Sequence, residues 1–427
     1  MGEMIKLHTA GAEPTVFRTG LIAALDIGSS KIACFIGRVD DGKLRILGTA
    51  FRESQGIRSG MIVNLQDARE SIRDAVDAAE SRADTRIQNV LMSVSCGAPR
   101  SVTARVAMPL DGVLVSDHHI QDLLNEARIN CQTDEHDIIH AAPISYVVDD
   151  ARGVRDPRGM FCQRIGVSMH AVAVKQLPLQ NLKLAVQQCH LNIVGMLTSS
   201  YASGLATLTP DEKQLGATVI DMGGGTTSVA VFMEGELVHA DVVPLGGFHV
   251  TSDLARMLAA PLSAAERLKN VAGAALGDLD GNTDLVAVPQ MGEDGEESVF
   301  RVPRSMLIRI IQPRIEEIFL EVQKRLRASG FDVVAGRRAV LTGGGSQLAG
   351  ARELAQRVLN KQVRLARPQT FPGLAAVGAG PEFSTALGLL IAGASMAPEA
   401  LNPHLPAPQK NSASGGFFQK LVGGIFG

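Results

Sequence analysis

A chain of 427 residues with 45% apolar and 20% charged side chains has the composition of packed globular structure, and its length fits roughly two to four domains. Its 41 Lys and Arg against 44 Asp and Glu leave a formal charge of −3, which argues against a nucleic-acid binder. With 14 Phe, 2 Tyr and no Trp, aromatic platforms for single strands or sugars are disfavoured as well. Residues 1–20 lack an apolar h-region behind a basic start, so no secretory signal is expected. No run approaches the roughly 18 apolar residues of a membrane-spanning helix. The cysteines, Cys34, Cys96, Cys131, Cys162 and Cys189, are odd in number and show no Cys-x-x-Cys pair. Free thiols in a reducing cytoplasm are expected, not a disulfide framework or a zinc site. His136 and His140 stand four apart, as on one helix face, without a third ligand, and are read as structural.

In chain order, Leu21–Asp26 is a short apolar run closed by an acid, followed by the turn Gly28-Ser29-Ser30-Lys31. Ile32–Val39 and Leu44–Leu47 follow, separated by Asp41-Gly42, a strand–turn–strand–turn–strand signature. Leu65–Arg82 carries Leu65, Ala68, Ile72, Val76 and Ala79 at helical spacing, and Val90–Val94 reads as a strand. In the segment 97–175, a helix over Ser116–Gln132 lies among strands, as in a small α+β module. The opening pattern then recurs. Ala217–Ile220 ends at Asp221, Gly223-Gly224-Gly225-Thr226-Thr227 turns the chain, and Val229–Phe232, Glu234-Gly235 and Leu237–Val243 complete the set. A pattern repeated 195 positions apart is a duplication on the scale of a domain, and two α/β halves facing across a cleft follow from it.

The segment 277–298 is acidic and Gly-rich and reads as a solvated loop or hairpin. Ile310–Leu326 is predicted to be a long amphipathic helix with Pro313 in its first turn. The third Gly-rich turn, Thr342-Gly343-Gly344-Gly345-Ser346, ends a short strand and opens a helical run over Leu348–Leu359.

Glycine turns let a backbone approach a phosphate and point N–H groups at it, while Ser and Thr hydroxyls add donors. An Asp closing each strand suits a hydrated Mg²⁺, which uses only one or two carboxylates. Two such turns would hold a triphosphate from both sides, and the third would meet the nucleoside or its α-phosphate. Rival signatures are missing: the chain has no Gly-x-x-x-x-Gly-Lys-[Ser/Thr], no third glycine of Gly-x-Gly-x-x-Gly after Gly345, and no Gly-x-Ser-x-Gly elbow.

The set Asp26–Lys31, Asp221–Thr227 and Thr342–Ser346 resembles the phosphate-1, phosphate-2 and adenosine motifs of the actin/Hsp70/sugar-kinase superfamily. Within it, Ser59–Asn64, Gly246–Asp253 and Leu341–Gly350 are similar to the FtsA family of bacterial cell-division proteins, over about residues 20–393. The resemblance implies an α/β, actin-like (RNase H-like), two-lobed fold with a nucleotide cleft and an inserted α+β subdomain, 1C. It divides the chain into an N-terminal segment (1–19), subdomain 1A (20–96), 1C (97–175), a return to 1A (176–215), lobe 2 with final helices returning to 1A (216–396), a linker (397–416) and a terminal helix (417–427). It also implies roles. Asp26 and Asp221 would hold Mg²⁺ through water. Gly28, Ser29, Ser30 and Lys31 would bind ATP phosphates from one side, and Gly223, Gly224, Gly225, Thr226 and Thr227 from the other. Gly343, Gly344, Gly345 and Ser346 would meet the adenosine and α-phosphate, and Glu266 and Lys269 the ribose and adenine. The hinge stretch Ser199–Gly204 lacks the Glu-Pro-Thr of Hsp70-like relatives, so slow or no hydrolysis is expected, and no catalytic residue is assigned.

Projected as a helix, Phe417, Phe418, Leu421, Val422, Ile425 and Phe426 fill one half of the wheel, and Gln419, Lys420, Gly423 and Gly424 the other. The segment 401–427 carries Lys410 and Lys420 and no acid, which suits an anionic lipid surface. Behind the Pro/Ser/Gly-rich linker 397–416 this reads as a membrane foot. The resemblance makes the chain an ATP-binding adaptor on the cytoplasmic face of the inner membrane at the division site. There it would form a homopolymer, bind the C-terminal peptide of the tubulin-like FtsZ, recruit later divisome membrane proteins, and bind no nucleic acid. A PilM-type type IV pilus assembly protein and a sugar or acetate kinase are the alternatives.

Overall fold

A computed structural model describes residues 20–133, 135–277, 284–291 and 299–395. The N-terminal segment, most of the acidic loop, the linker and the amphipathic terminal helix expected above lie outside the described residues.

The first half opens as an antiparallel meander of β1 (Gly20–Ile27), β2 (Lys31–Asp40) and β3 (Lys43–Glu53). A small hairpin, β4 (Ile57–Arg58) and β5 (Met61–Ile62), leads into α1 (Leu65–Ala83), and β6 (Asn89–Val94) returns parallel to β1. Asn64 accepts the N–H groups of Gln66 and Asp67 through its side chain, which fixes where α1 begins. The chain then leaves this sheet for β7 (Arg100–Leu114), α2 (Asp117–Cys131), β8 (His136–Val148), β9 (Ala151–Val154) and β10 (Phe161–Lys175). These strands form a separate sheet, ordered β7-β10-β8-β9, with α2 packed on it. The chain comes back through α3 (Gln176–Gln187) and β11 (Asn192–Thr198), which closes the first sheet as β11-β6-β1-β2-β3.

Helices α4 (Ser199–Thr207) and α5 (Pro210–Leu215) cross to the second half, where β12 (Ala217–Met222), β13 (Thr227–Met233) and β14 (Glu236–Val243) repeat the meander. After it come α6 (Gly247–Met257), α7 (Leu262–Ala272), the hairpin β15 (Leu285–Pro289) and β16 (Val299–Pro303), α8 (Arg304–Ala328) and α9 (Phe331–Val334). β17 (Arg338–Thr342), α10 (Ala351–Leu359), β18 (Gln362–Leu365) and α11 (Ser384–Ser395) finish the described chain. The second sheet runs β14-β13-β12-β17-β18. The two sheets therefore share one topology, a three-stranded meander extended by two parallel strands, and the duplication read from the sequence is a duplication of fold.

α4 and α11 lie between the sheets. One core joins Leu25, Phe35, Tyr201, Leu387 and Leu390 to Val219, Ala230 and Phe232 of the second half. All described residues of α11 from Ser384 to Ala394 are buried. The helices approach so closely at Gly388 that a Cβ there would run into the Ala202 carbonyl. Gly388→Ala is expected to destabilise the protein by about 1–3 kcal/mol, the usual effect of overpacking, and denaturant unfolding measures it.

Three expectations are corrected. The long helix begins at Arg304, and Pro313 lies inside it, not in its first turn. Burial of Leu307, Ile308 and Ile311 holds the turns before the proline, enough to offset the hydrogen bond that proline removes. The helix expected over Leu348–Leu359 begins only at Ala351, because the chain first makes a 3₁₀ turn, Gly344–Gln347, and Gly350 then adopts φ 77°. His136 and His140 share a strand, not a helix, and His140 is buried with its ring 4.8 Å from that of Tyr201. All five cysteines are free, four of them buried, and burial pushes the Cys34 thiol up to about 12 and Cys96 to about 11.

Candidate functional site

The two Asp-x-Gly turns are the tips of two hairpins built alike. Gly28 N–H donates to the Lys31 carbonyl at 3.0 Å, and Gly223 N–H donates to the Thr226 carbonyl at 2.9 Å. Each tip thus holds two residues, Ser29-Ser30 in one and Gly224-Gly225 in the other. The tips face each other. A Cβ on Gly224 would stand 2.5 Å from Ser30 Oγ, and one on Gly225 would overlap Ser29 Oγ. Ser29 Oγ also accepts the Gly60 N–H at 3.0 Å, tying the loop between β4 and β5 to the first tip. A cleft of about 100 Å³ runs between the halves, lined by Asp26, Lys31, Asp221, Gly343, Glu382 and neighbouring residues.

Asp26 and Asp221 are the second-last residues of β1 and β12, and both carboxylates accept from hydroxyls. Asp26 Oδ1 accepts from Ser93 Oγ at 2.8 Å, and its Oδ2 lies 3.6 Å from Lys31 Nζ. Lys31 Nζ also stands 5.1 Å from the Phe383 ring centroid. Asp221 Oδ2 accepts from Ser203 Oγ and, at 2.9 Å, from Thr385 Oγ1. Burial above all, with the charge of Asp26 beside it, pushes the Asp221 carboxyl above the ordinary range, against the pull of the two hydroxyls and Lys31. A cation would relieve that penalty. Among the described residues no group of three or more His, Cys, Asp or Glu is placed to hold a metal. Two carboxylates amid hydroxyls and free space for water fit Mg²⁺, which keeps most of its hydration shell.

At the third turn Gly343 has φ 83°, and a side chain there would strike the Asp221 carboxylate. Gly343 and Gly344 line the cleft. Gly345 packs on Met222, and Ser346 is buried with its hydroxyl donating to the Gly343 carbonyl at 2.7 Å. Thr227 likewise donates to the Leu245 carbonyl at 2.9 Å. The hydroxyls of Ser346 and Thr227 therefore brace their turns. Glu266 and Lys269 meet on α7, with Lys269 Nζ 2.7 Å from Glu266 Oε2, 3.0 Å from Thr251 Oγ1 and 3.2 Å from the Gly247 carbonyl. They stand behind the second tip, because Gly247 N–H bonds to the Gly223 carbonyl at 3.0 Å.

Sequence reasoning missed Ser93, Ser203, Thr385 and Glu382. Ser203 belongs to the hinge stretch inspected above, but its spacing carries no signal, since its partners come from Asp221 and Thr385.

A family profile described as cell division protein FtsA matches residues 218–388, and one described as an SHS2 domain inserted in FtsA matches residues 97–173. Cell division protein FtsA of Rhizobium meliloti (strain 1021) is 39% identical over 417 residues, which covers 95% of this chain and 92% of the relative. FtsA of Escherichia coli (strain K12) is 33% identical over 379 residues, covering 87% and 89%. Among solved structures, a PilM–PilN type IV pilus biogenesis complex aligns with TM-score 0.60 at 19% identity, over 89% of this chain and 99% of that one. MreB5 of Spiroplasma citri bound to ADP aligns with TM-score 0.51 at 12% identity, over 87% and 95%. These structures share the actin-like fold, and the identity extends over nearly the whole chain, through both hairpin tips and the inserted sheet. The chain belongs to the FtsA family of actin-like cell-division proteins.

Proposed function

We propose that this cell-division protein binds ATP with Mg²⁺ between the two hairpin tips, assembles with copies of itself, and tethers FtsZ filaments to the cytoplasmic face of the inner membrane through residues 417–427. The observation that carries the reading is the facing of two hairpin tips with a buried carboxylate at the base of each. The MreB5 structure with a related fold holds ADP, which supports a nucleotide in the same kind of cleft.

In this reading Gly28, Ser29, Ser30 and Lys31 receive phosphate oxygens from one half, and Gly223, Gly224, Gly225 and Thr226 from the other. Thr227 braces the second tip. Gly343 and Gly344 approach the α-phosphate, with Gly345 and Ser346 supporting them, and Glu266 and Lys269 border the side on which ribose and adenine lie. Mg²⁺ would neutralise phosphate charge, and Asp26 and Asp221 would hold its bound water. Because the tips touch, a triphosphate entering between them parts the two halves. Helix α4, Ser199–Thr207, brings only hydroxyls and no carboxylate to the cleft, which supports slow hydrolysis with nucleotide serving as an assembly switch. The proposed partners are the FtsZ C-terminal peptide, further copies of the chain, later divisome membrane proteins and the membrane surface. Among the described residues no helix is long and apolar enough to cross a membrane.

A pilus-assembly role of the PilM kind shares the fold. The identity of 39% to a cell-division relative favours division, as does the amphipathic terminal segment. A sugar or acetate kinase would need a catalytic base facing the γ-phosphate. The test is sedimentation of the full chain with anionic liposomes, with and without ATP·Mg²⁺, in the presence of a labelled FtsZ C-terminal peptide. ATP is expected to increase the pelleted protein, and the peptide to pellet with it. Pelleting without the peptide would remove the FtsZ assignment, and phosphoryl transfer to a sugar or carboxylate would move the chain to the kinases.

A further inference from the structure

We propose that Ser101 is a positioning residue for the nucleotide cleft: its hydroxyl fastens the inserted sheet to strand β14, and β14 carries that attachment to the second hairpin tip. The inference rests on the nucleotide reading above and names a residue outside the cleft that tunes it.

By connectivity the inserted subdomain belongs to the first half, since it leaves after β6 and returns at α3. In space it also grips the second. β14 is the outermost strand of the second sheet, so one side of its backbone is free to bond elsewhere. Ser101, on β7, takes that place at Ala240. Its Oγ accepts the Ala240 N–H at 2.7 Å and donates to the Ala240 carbonyl at 3.2 Å. One side chain thus does what a neighbouring strand would do.

His170 on β10 backs the joint, with Nε2 2.9 Å from Ser101 Oγ. A hydroxyl has one proton to give. All three contacts are satisfied together when His170 carries its proton on Nε2 and donates to Oγ. Nδ1 is then a bare lone pair, and it is indeed buried without a partner. Burial first, then the neighbouring His140 and His239, pushes the His170 pKa down to about 3, so the ring stays neutral and the joint holds in mild acid. One residue further on, Asp241 Oδ1 accepts the Val242 N–H and an Arg325 N–H of α8, each at 2.6 Å. The strand is pinned on this side by β7 and α8, with β10 backing the first of them.

β14 leads straight to the cleft. Leu245 accepts the Thr227 hydroxyl, and the N–H groups of Gly247 and Phe248 bond to the Gly223 and Gly224 carbonyls at 3.0 and 2.7 Å. Five residues lie between Ala240 and Gly246, and the first three of them still belong to β14. When the second tip moves, Ala240 moves with it, and so does Ser101. A cavity of about 450 Å³ borders the joint, lined by Arg100, Thr103, His239 and Phe331 among other residues, and leaves the inserted sheet room to shift. Coupling of this kind is reciprocal: whatever displaces the inserted subdomain changes ATP affinity by the factor with which ATP changes its displacement.

The test combines ATP·Mg²⁺ titration with hydrogen–deuterium exchange on the full chain. In the wild type, ATP is expected to slow amide exchange over residues 102–106 and 239–243. Ser101→Ala is expected to weaken ATP binding about fivefold or more, and to abolish the ATP-dependent protection of residues 102–106 even at saturating nucleotide. Ser101→Thr, which keeps the hydroxyl, restores both, and that rescue separates positioning from loss of fold. Unchanged ATP affinity in Ser101→Ala, or wild-type exchange over 102–106 that ignores bound ATP, overturns the coupling alone. Absence of ATP binding in the wild type overturns the nucleotide reading and this inference with it.

Discussion

Asp221→Asn is expected to weaken binding of ATP·Mg²⁺ by at least about tenfold, or ~1.4 kcal/mol, and to make the nucleotide-free protein more stable at neutral pH. The two effects have one origin. Asparagine keeps the shape, and the hydroxyls of Ser203 and Thr385 that now donate to Oδ2 can still donate to an amide oxygen. What is lost is a buried negative charge that serves a cation and otherwise weakens the fold. Burial raises the Asp221 pKa above its unfolded value, so the carboxyl's contribution to stability is intact below the unfolded pKa and is lost as pH rises through the folded one. The variant carries no such loss. Its advantage over the wild type should therefore be least near pH 4 and widen toward pH 7. Titration calorimetry reads the first effect and melting curves across pH the second. Wild-type affinity for ATP·Mg²⁺ in Asp221→Asn would refute the assignment of the cleft.

Removing residues 417–427 should abolish pelleting with anionic liposomes and leave ATP binding unchanged. Six apolar side chains set partly into the interface contribute roughly 5–9 kcal/mol, while ordering ten residues costs about 1 kcal/mol or more each. One such foot would be marginal alone, and several on one assembly would bind through their effective concentration. Pelleting of the full chain should accordingly rise steeply with protein concentration and with conditions that promote assembly. Equal pelleting of the truncated and full chains would sink the membrane foot.

The duplicated meander was legible because strand, Asp-x-Gly turn and strand are local signals, and they stand twice in the same order. What holds the site together was not. Asp221 depends on Ser203 and Thr385, which are 18 and 164 positions away, and Asp26 depends on Ser93, 67 positions away. Serine and threonine occur everywhere in a sequence, and only the packing of α4 and α11 between the sheets singles out Ser203 and Thr385, as the pairing of β6 beside β1 singles out Ser93. The early start of α8 was hidden for a related reason. Pro313 is a local stop signal, and burial of Leu307, Ile308 and Ile311 against distant elements overrides it. The third turn misled in the opposite direction, since its apolar residues after Gly345 look helical while Gly350 breaks the run with φ 77°.

Ser29 and Ser30 fill the space that Gly224 and Gly225 leave open, so the two tips are plug and socket, not mirror images. Two plugs would collide hydroxyl on hydroxyl, and two sockets would leave a gap. The duplication has kept its architecture and given up its symmetry, and each half carries at its tip the shape that the other lacks.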